Sequence, residues 1–361
     1  MKRALRMAGF GGLLLAALAG ATVCMTSGCS TLAYYAQSVS GHLALVNSAK
    51  PVTEWLADPQ TPEALKARLA LTQRMREYAV TELKLPDNAS YRRFADIKRP
   101  AAVWNVVAAP ELSLALQTWC FPVVGCVGYR GYYDRAAADA EAATLKAAGL
   151  EVNVYGVPAY STLGTLPGNW GADPLLSTFI DYPEGELARL IFHELTHQVA
   201  YAAGDTVFNE SFATTVERIG GTRWLATQAG DAAREEYARY DARREDFRAL
   251  TLRYRTKLDA LYRGPLPDAD KRREKAELMQ RLRADHDALK AERWAGFAGY
   301  DGWFARANNA SLGVLAAYNE LVPDFERLFK REGRDFTRFY AEAKRLAAMP
   351  LEQRRAALAS P

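Results

Sequence analysis

Histidine and cysteine are scarce in this chain. Its 361 residues include four of each, with no metal-type cluster of cysteines and histidines, which argues against a cysteine-rich zinc site. An excess of charge of one sign is lacking too. The chain has 46 basic and 42 acidic side chains, and three basic ones lie in the first 28 residues, which leaves 43 against 42, a net charge of +1. This balance argues against a nucleic-acid-binding surface.

Signatures of nucleotide binding and of nucleophilic catalysis are also missing. Residues 125–131 are glycine-spaced but lack the strand–loop–helix context of a dinucleotide site. No serine or cysteine nucleophile motif, internal repeat or low-complexity segment is present. These absences leave the chemistry to be sought elsewhere in the chain.

The chain begins with a charged segment and an apolar run. Lys2, Arg3 and Arg6 precede apolar residues that extend to about Val23. This order is typical of a secretory signal peptide, which we place at residues 1–28. An uncleaved anchor helix is the alternative, but the run is short for a membrane span and is interrupted by glycines.

The predicted signal ends in Thr26-Ser27-Gly28-Cys29, which looks like a bacterial lipobox. In a lipobox the cysteine is lipidated and becomes the new N-terminus, so Cys29 is the predicted anchor to the membrane. Ser30 rather than an aspartate follows it. We therefore expect a lipid-anchored monomer on the periplasmic face of an outer membrane.

Export leaves two cysteines for structure. Cys120 and Cys126 are separated by five residues. In an oxidising periplasm this spacing predicts a short disulfide loop, and two reduced cysteines are the alternative.

The pattern of apolar and turn residues predicts an α+β fold that is mostly helical. We expect a small mixed sheet beside the helix that contains His193 and His197, and a long helical hairpin. We expect a catalytic region at 29–230, a charged helical hairpin at 231–300 and a helical region at 301–361 that completes the catalytic domain. A partner-binding coiled coil is the alternative for the hairpin. His286 in the hairpin is predicted to lie at the surface, and His42 is not a candidate ligand.

The helices and strands predicted before residue 193 follow from the positions of helix-breaking residues and from the alternation of apolar and polar residues. The first helix is expected at the membrane surface through Leu32, Tyr34 and Tyr35. Helices are predicted at 30–49, 62–85 and 134–148, and strands at 101–109, 129–133 and 151–155.

The segment His193-Glu194-Leu195-Thr196-His197 carries the strongest signal. It is an H-E-x-x-H motif in an apolar, helix-forming run. Positions i and i+4 share a helix face, so both imidazoles can reach one metal ion. Glu194 can then reach a metal-bound water as a general base. The alternative is a pair of histidines on a solvated face.

A third ligand is needed, because catalytic zinc takes three protein ligands and a water. The Asn-Glu-x-x-Ala segment that contains Asn209 and Glu210 resembles the third-ligand helix of the gluzincin metallopeptidases. The resemblance implies that Glu210 completes the set for one Zn²⁺, with Asn209 and Glu217 as supporting residues. Glu217 is the alternative ligand. Only twelve residues separate His197 from Glu210, a shorter insert than in better-known gluzincins, and residues 204–206 are expected to end one helix and cap the next.

Residues 155–217 resemble a bacterial family of predicted aminopeptidases, many of them lipoproteins. The matching pieces include Gly156-Val157-Pro158-Ala159-Tyr160 and the two motif segments. The resemblance extends over most of the chain and includes Asn308-Asn309-Ala310. It implies a zinc metallopeptidase that cleaves peptides in the cell envelope.

Two tyrosines are candidates for stabilising the oxyanion of the attacked carbonyl, a role that gluzincins often give to tyrosine or histidine. They are Tyr160 and Tyr318. Residues 159–163 are predicted to form an edge strand that pairs with extended substrate. Two other functions remain open: a non-enzymatic envelope lipoprotein with a structural or decayed site, and a zinc amidase acting on cell-wall peptides.

Overall fold

The computed structural model describes residues 29–121, 125–160 and 171–360. The predicted signal peptide lies outside the described residues, as do residues 161–163 of the predicted edge strand. The helices are α1 Cys29–Ser48, α2 Val52–Ala57, α3 Glu63–Thr81, α4 Arg135–Ala147, α5 Glu184–Thr196, α6 Thr206–Thr227, α7 Asp231–Arg263, α8 Asp268–Glu292, α9 Asp301–Arg306, α10 Asn309–Ala317, α11 Val322–Arg331, α12 Phe336–Ala347 and α13 Leu351–Ala359. The strands are β1 Lys50–Pro51, β2 Arg93–Ala95, β3 Val103–Pro110, β4 Trp119–Phe121, β5 Gly125–Val127, β6 Arg130–Tyr132, β7 Leu150–Val157 and β8 Leu175–Leu176.

The predicted α+β class is confirmed. A mainly helical body surrounds small sheets, one with the antiparallel order β6-β3-β7 and one that joins β1, β2 and β8, where β2 and β8 run parallel. In the first sheet β3 is central and pairs with β7 along its whole length. This leaves β7 at an edge of that sheet.

Alternation along β3 explains its position between two layers. Val106 and Ala108 pack toward α4, whereas Val107 and Ala109 pack toward Ala310 of α10. Successive side chains of a strand point to opposite faces, so a strand covered on both faces is apolar throughout.

Two consecutive asparagines attach α10 to this sheet. Asn308 Nδ2 donates to the carbonyl of Val152, and Asn309 Nδ2 donates to the carbonyls of Pro110 and Glu111 at 3.1 and 2.8 Å. Asn309 is fully buried, so each bond satisfies a group that water cannot reach. The segment just after α10, which contains Tyr318, is thereby positioned relative to the sheet.

The predicted helical hairpin is confirmed as α7 and α8. The break between them contains Gly264 and Pro267, as breaker chemistry requires. Its own apolar cluster includes Phe247, Leu258 and Leu282.

The prediction that His286 lies at the surface is wrong. Only 3% of the residue is exposed, and its ring stacks on Phe304 at 4.1 Å between centroids and contacts Trp294. These two aromatic residues follow the hairpin in the chain, so the charged local sequence of α8 gave no sign of them.

Helix α1 contains no charged residue. Leu32, Tyr35 and Val39 are exposed on it at 45, 36 and 58%. Tyr34 differs from its predicted place at a membrane surface, because its ring packs on Phe121 and on the guanidinium of Arg130. No helix in the described part of the chain is both long and apolar enough to cross a membrane.

Candidate metal centre

Helices α5 and α6 pack side by side and run antiparallel. At one end, Trp224 Nε1 of α6 donates to Glu184 Oε1 of α5 at 2.9 Å. At the other end, both histidines of the H-E-x-x-H motif approach Glu210, near the start of α6. Acidic residues occupy the first turn of α5, where their negative charges interact favourably with the positive end of the helix dipole.

The connection between the two helices agrees with the prediction at the start of α6 but not at the end of α5. Helix α5 ends at Thr196, well before Gly204, which takes a left-handed conformation at φ +77°. Asp205 then caps α6 by accepting from Phe208 N at 3.0 Å. Asn209 supports this loop rather than a histidine, because its amide bonds both backbone groups of Ala202 at 2.8 and 2.9 Å.

Three predicted ligands converge where the helices meet. His193 Nε2 lies 3.2 Å from Glu210 Oε2 and 3.2 Å from His197 Nε2, and the third separation, between His197 and Glu210, is 3.7 Å. The two histidines are buried and Glu210 is half-buried, and together they could hold a metal ion.

The donor set fits zinc. Two imidazoles and one carboxylate are the ligands of a common class of catalytic zinc site. Tetrahedral bonds of about 2.0–2.1 Å place neighbouring donor atoms about 3.3 Å apart. The three separations therefore require little movement to accept such an ion.

Glu217 contacts the other nitrogen of His193. Its Oε2 lies 2.9 Å from Nδ1, and its Oε1 pairs with the guanidinium of Arg189. Arg189 also donates to the hydroxyl of Tyr237 at 2.9 Å. A carboxylate on the far nitrogen fixes the tautomer and orientation of an imidazole. Glu217 is therefore placed to orient His193, and Glu210 is the carboxylate of the group that could hold a metal ion.

Burial and charge compete in this cluster. Burial opposes the charged form of His193, but bonds to Glu210 and Glu217 outweigh it and raise its pKa well above the usual value. Burial lowers the pKa of His197 to about 4, so this imidazole is neutral and able to ligate at neutral pH. Burial also raises the pKa of Glu194 to about 8.

A cavity of about 430 Å³ opens beside the three ligands. Glu194 lines it together with His193, His197 and Glu210. Its other walls come from distant parts of the chain and are largely aromatic and apolar. They include Tyr34, Tyr35, Val103, Phe121, Val127, Tyr129, Tyr133, Val157, Tyr160, Tyr201 and Tyr318.

Both candidate tyrosines line this cavity. The ring of Tyr318 stacks on His193 at 6.2 Å between centroids, and the Glu210 charge and burial together raise its pKa. Burial likewise raises the pKa of Tyr160. The hydroxyl of Tyr160 lies 2.8 Å from His42 Nδ1, so the exclusion of His42 from the site overlooked a residue that holds a cavity side chain.

Of the predicted substrate-binding edge strand, only residues 159 and 160 belong to the described part of the chain. Ala159 and Tyr160 lie beyond the end of β7 at Val157 and are not in a strand. Val157 and the two residues still line the cavity, and β7 is an edge strand.

Cys120 and Cys126 are joined by a disulfide across the β4–β5 ribbon. The ribbon approaches the loop ahead of α6, since a side chain added at Gly125 would meet the backbone of Gly204. The disulfide therefore joins two strands that contribute Phe121 and Val127 to the lining of the cavity.

Some residues near the three ligands were not predicted from the sequence. Tyr129 and Tyr155 lie close enough to Glu210 for its charge to raise their pKa values, after the larger effect of burial. Arg189 could have been found, because it precedes His193 by four residues and so shares its helix face.

Comparison with known families agrees with this site. Residues 33–358 match the family model described as "Putative aminopeptidase". The chain belongs to this family. No curated protein and no solved structure matches the chain. The match includes both motif helices and the segment that contains Tyr318.

Proposed function

We propose that this member of the family is a zinc-dependent metallopeptidase that hydrolyses peptides in the cell envelope. The observation that carries the proposal is the convergence of His193, His197 and Glu210 beside Glu194 in one aromatic cavity. A structural zinc would take four protein ligands. Within the described residues only these three form a metal-type group, which favours a catalytic site over a structural one.

The three ligands would hold the ion, with Glu217 orienting His193. Zinc supplies a lowered pKa for bound water, about 7 in such sites. Glu194 takes a proton from the attacking water and later delivers it to the leaving amine as the C–N bond breaks. Tyr318, stacked beside His193, is the better placed of the two tyrosines to donate to the oxyanion.

Tyr160 is assigned a substrate-positioning role. Its hydroxyl is held by His42, and its ring packs on Tyr133 at 5.7 Å between centroids. A tyrosine held from two sides offers a fixed wall to a substrate side chain. The aromatic lining as a whole favours peptides with large apolar side chains.

The family description favours release of N-terminal residues, and we adopt an aminopeptidase as the first candidate. One observation favours a second. The carboxylates among the described lining residues are Glu194 and Glu210, and residues 122–124 and 161–170 contain no aspartate or glutamate. An enzyme without a further acid to bind a free amine would accept internal bonds or blocked amides.

The test uses zinc content and a peptide panel. Glu194→Gln should retain zinc and lose about 10²–10⁴-fold in kcat, as expected for removal of a general base. Tyr318→Phe should lower kcat with KM little changed. A wild-type protein that binds zinc stoichiometrically but hydrolyses no peptide or amide would contradict the proposal.

Matched free and N-acetylated peptides separate the two candidates. Loss of turnover on acetylation supports the aminopeptidase. Equal turnover of both forms supports cleavage of internal or blocked bonds.

Anchoring through Cys29 remains part of the proposal. The residue begins α1, on which Leu32 and Val39 are exposed. Cys29→Ser should move the protein from the membrane fraction to the soluble fraction. Unchanged fractionation would contradict lipid anchoring.

A further inference from the structure

A second cavity lies apart from the metal centre, bounded by α6, α7 and the segment from α10 to α11. Its volume is about 540 Å³, within the range of small-molecule sites. We call it the arginine pocket. Its lining residues are Arg218, Arg248, Ala249, Thr251, Leu252, Arg255, Leu312, Leu315, Asn319, Glu320, Val322 and Pro323.

Three guanidinium groups line this pocket with little compensation. Within the described residues, Arg218 and Arg255 form no ion pair, and the carboxylate nearest to Arg248 is that of Glu245 at 3.9 Å. Arg218 makes one bond, from Nη2 to Asn319 Oδ1 at 2.7 Å. Glu320 is exposed and makes no ion pair with any of them in the described part of the chain.

Two of these side chains are half-buried, and each leaves one donor without a partner. The Nε atoms of Arg218 and Arg255 are inaccessible to solvent and have no partner among the described residues. A buried N–H without an acceptor is unfavourable, and native proteins rarely leave one. Burial and the charge of Arg248 lower the pKa of Arg218 by more than the charges of Glu217 and Glu326 raise it.

Three other arginines that are largely buried pair with carboxylates, namely Arg189 with Glu217, Arg244 with Glu186 and Arg354 with Asp205. Arg76, which is also buried, is held by backbone carbonyls instead. The arginine pocket differs because it offers its guanidinium groups few acceptors of either kind.

Much of the remaining lining of the pocket is apolar. It includes Leu312, Leu315, Val322, Pro323 and Leu252, of which Leu252 is 59% exposed. An ion alone would leave this apolar lining uncovered, whereas a ligand with an anionic head and an apolar portion would cover both.

We propose that the arginine pocket binds an amphiphilic anion, whose carboxylate or phosphate head lies among Arg218, Arg248 and Arg255 and whose apolar portion lies on the leucines. The site is separate from the metal centre but adjoins it. Tyr318 lines the first cavity, and the next two residues of the chain line the second.

Titration calorimetry of the purified protein tests the proposal with octanoate, octyl phosphate, inorganic phosphate and octanamide. We expect saturable binding of the first two, with octanamide and inorganic phosphate much weaker. Arg218→Gln and Arg255→Gln should each weaken binding by about 10–100-fold, the value of a charge-assisted hydrogen bond. Arg263→Gln is the matched control, because Arg263 lies on the same helix as Arg255 but is exposed. It should leave the binding affinity unchanged.

Carboxylates also bind zinc, so the titration is repeated with His193→Ala. Retained binding there places the ligand outside the metal centre and makes the result independent of the proposed peptidase activity. The proposal is overturned if neither amphiphile binds, if both arginine variants bind as the wild type does, or if octanamide binds equally well.

A bilayer lipid and a free amphiphile offer the same chemistry. Retention on phosphatidylglycerol vesicles but not on phosphatidylcholine vesicles, lost in the Arg218→Gln, Arg255→Gln double variant, indicates a lipid. Binding of octyl phosphate without vesicle retention indicates a soluble ligand.

Discussion

Two pairs of antiparallel helices in this molecule use charge in opposite ways. In the pair α5 and α6, the carboxylates of Glu210 and Glu217 face inward onto His193. In the hairpin α7 and α8, charged side chains face water in pairs such as Arg281 with Glu277 and Arg263 with Asp259.

This difference distinguishes buried charges that belong to a candidate site from exposed charges that keep a surface soluble. Charge is costly to bury, so buried carboxylates are retained only where partners or a cation stabilise them. Exposed pairs contribute at most about 1 kcal/mol each and mainly keep a surface soluble. The sequence is rich in charge at the hairpin, yet the group that could hold a metal ion lies in the helix pair with few charges.

The largest expected effect comes from removing a ligand in the first pair. His193→Ala should weaken zinc binding by on the order of 10³-fold or more and abolish hydrolysis, because two donors cannot hold a catalytic ion tightly. Chelator competition measures the affinity. His286→Gln is the matched control in the hairpin and should leave zinc affinity unchanged. An equal loss of zinc affinity in this variant would contradict the assignment of metal binding to α5 and α6.

Leu258→Ala should act on the hairpin alone. The side chain is fully buried in the apolar cluster of α7 and α8, so its truncation should lower the free energy of unfolding by about 2–5 kcal/mol. Denaturant unfolding measures this change. Turnover per zinc-loaded, folded molecule should stay the same, and a drop in that quantity would show that the hairpin shapes the cavity.

Glu217→Gln should have a smaller effect on the metal centre. Loss of a carboxylate behind a ligating histidine typically weakens metal binding by about 10–100-fold. It also leaves Arg189 without its main partner, so the unfolding of the metal-free protein must be measured too. In the Arg189→Gln, Glu217→Gln double variant stability should recover while zinc affinity stays low. Full recovery of zinc affinity would show that Glu217 acts through stability alone.

The smallest effect is expected at the hairpin surface. Arg281→Gln breaks a pair whose side chains are 63 and 52% exposed, so the free energy of unfolding should change by less than about 1 kcal/mol. Thermal unfolding and peptide turnover should both match the wild type. A larger loss would indicate that the exposed pairs act as a network.

Local periodicity made much of this architecture predictable. The spacing of His193 and His197 defines one helix face, and Glu217 follows Glu210 by seven residues on the next helix, which puts both carboxylates on one face. The hairpin followed from charge with apolar residues at helical spacing and from a glycine–proline break.

Long-range contacts explain what the sequence could not reveal. His42 lies 118 residues from Tyr160, to which it is bonded, and nothing local to either residue indicates the pair. His286 sits among charged neighbours on α8 but is buried by aromatic residues that come later in the chain. Asn209 was expected beside a ligand, yet its amide is satisfied by the backbone of the loop that it follows.

Helix α1 has a practical consequence for production of the protein. Its Tyr34 and Tyr35 form one wall of the cavity, and its His42 holds Tyr160. A version trimmed past Ser48 would discard that wall. Replacing Cys29 while keeping the helix removes the proposed lipidation site and leaves the cleft intact.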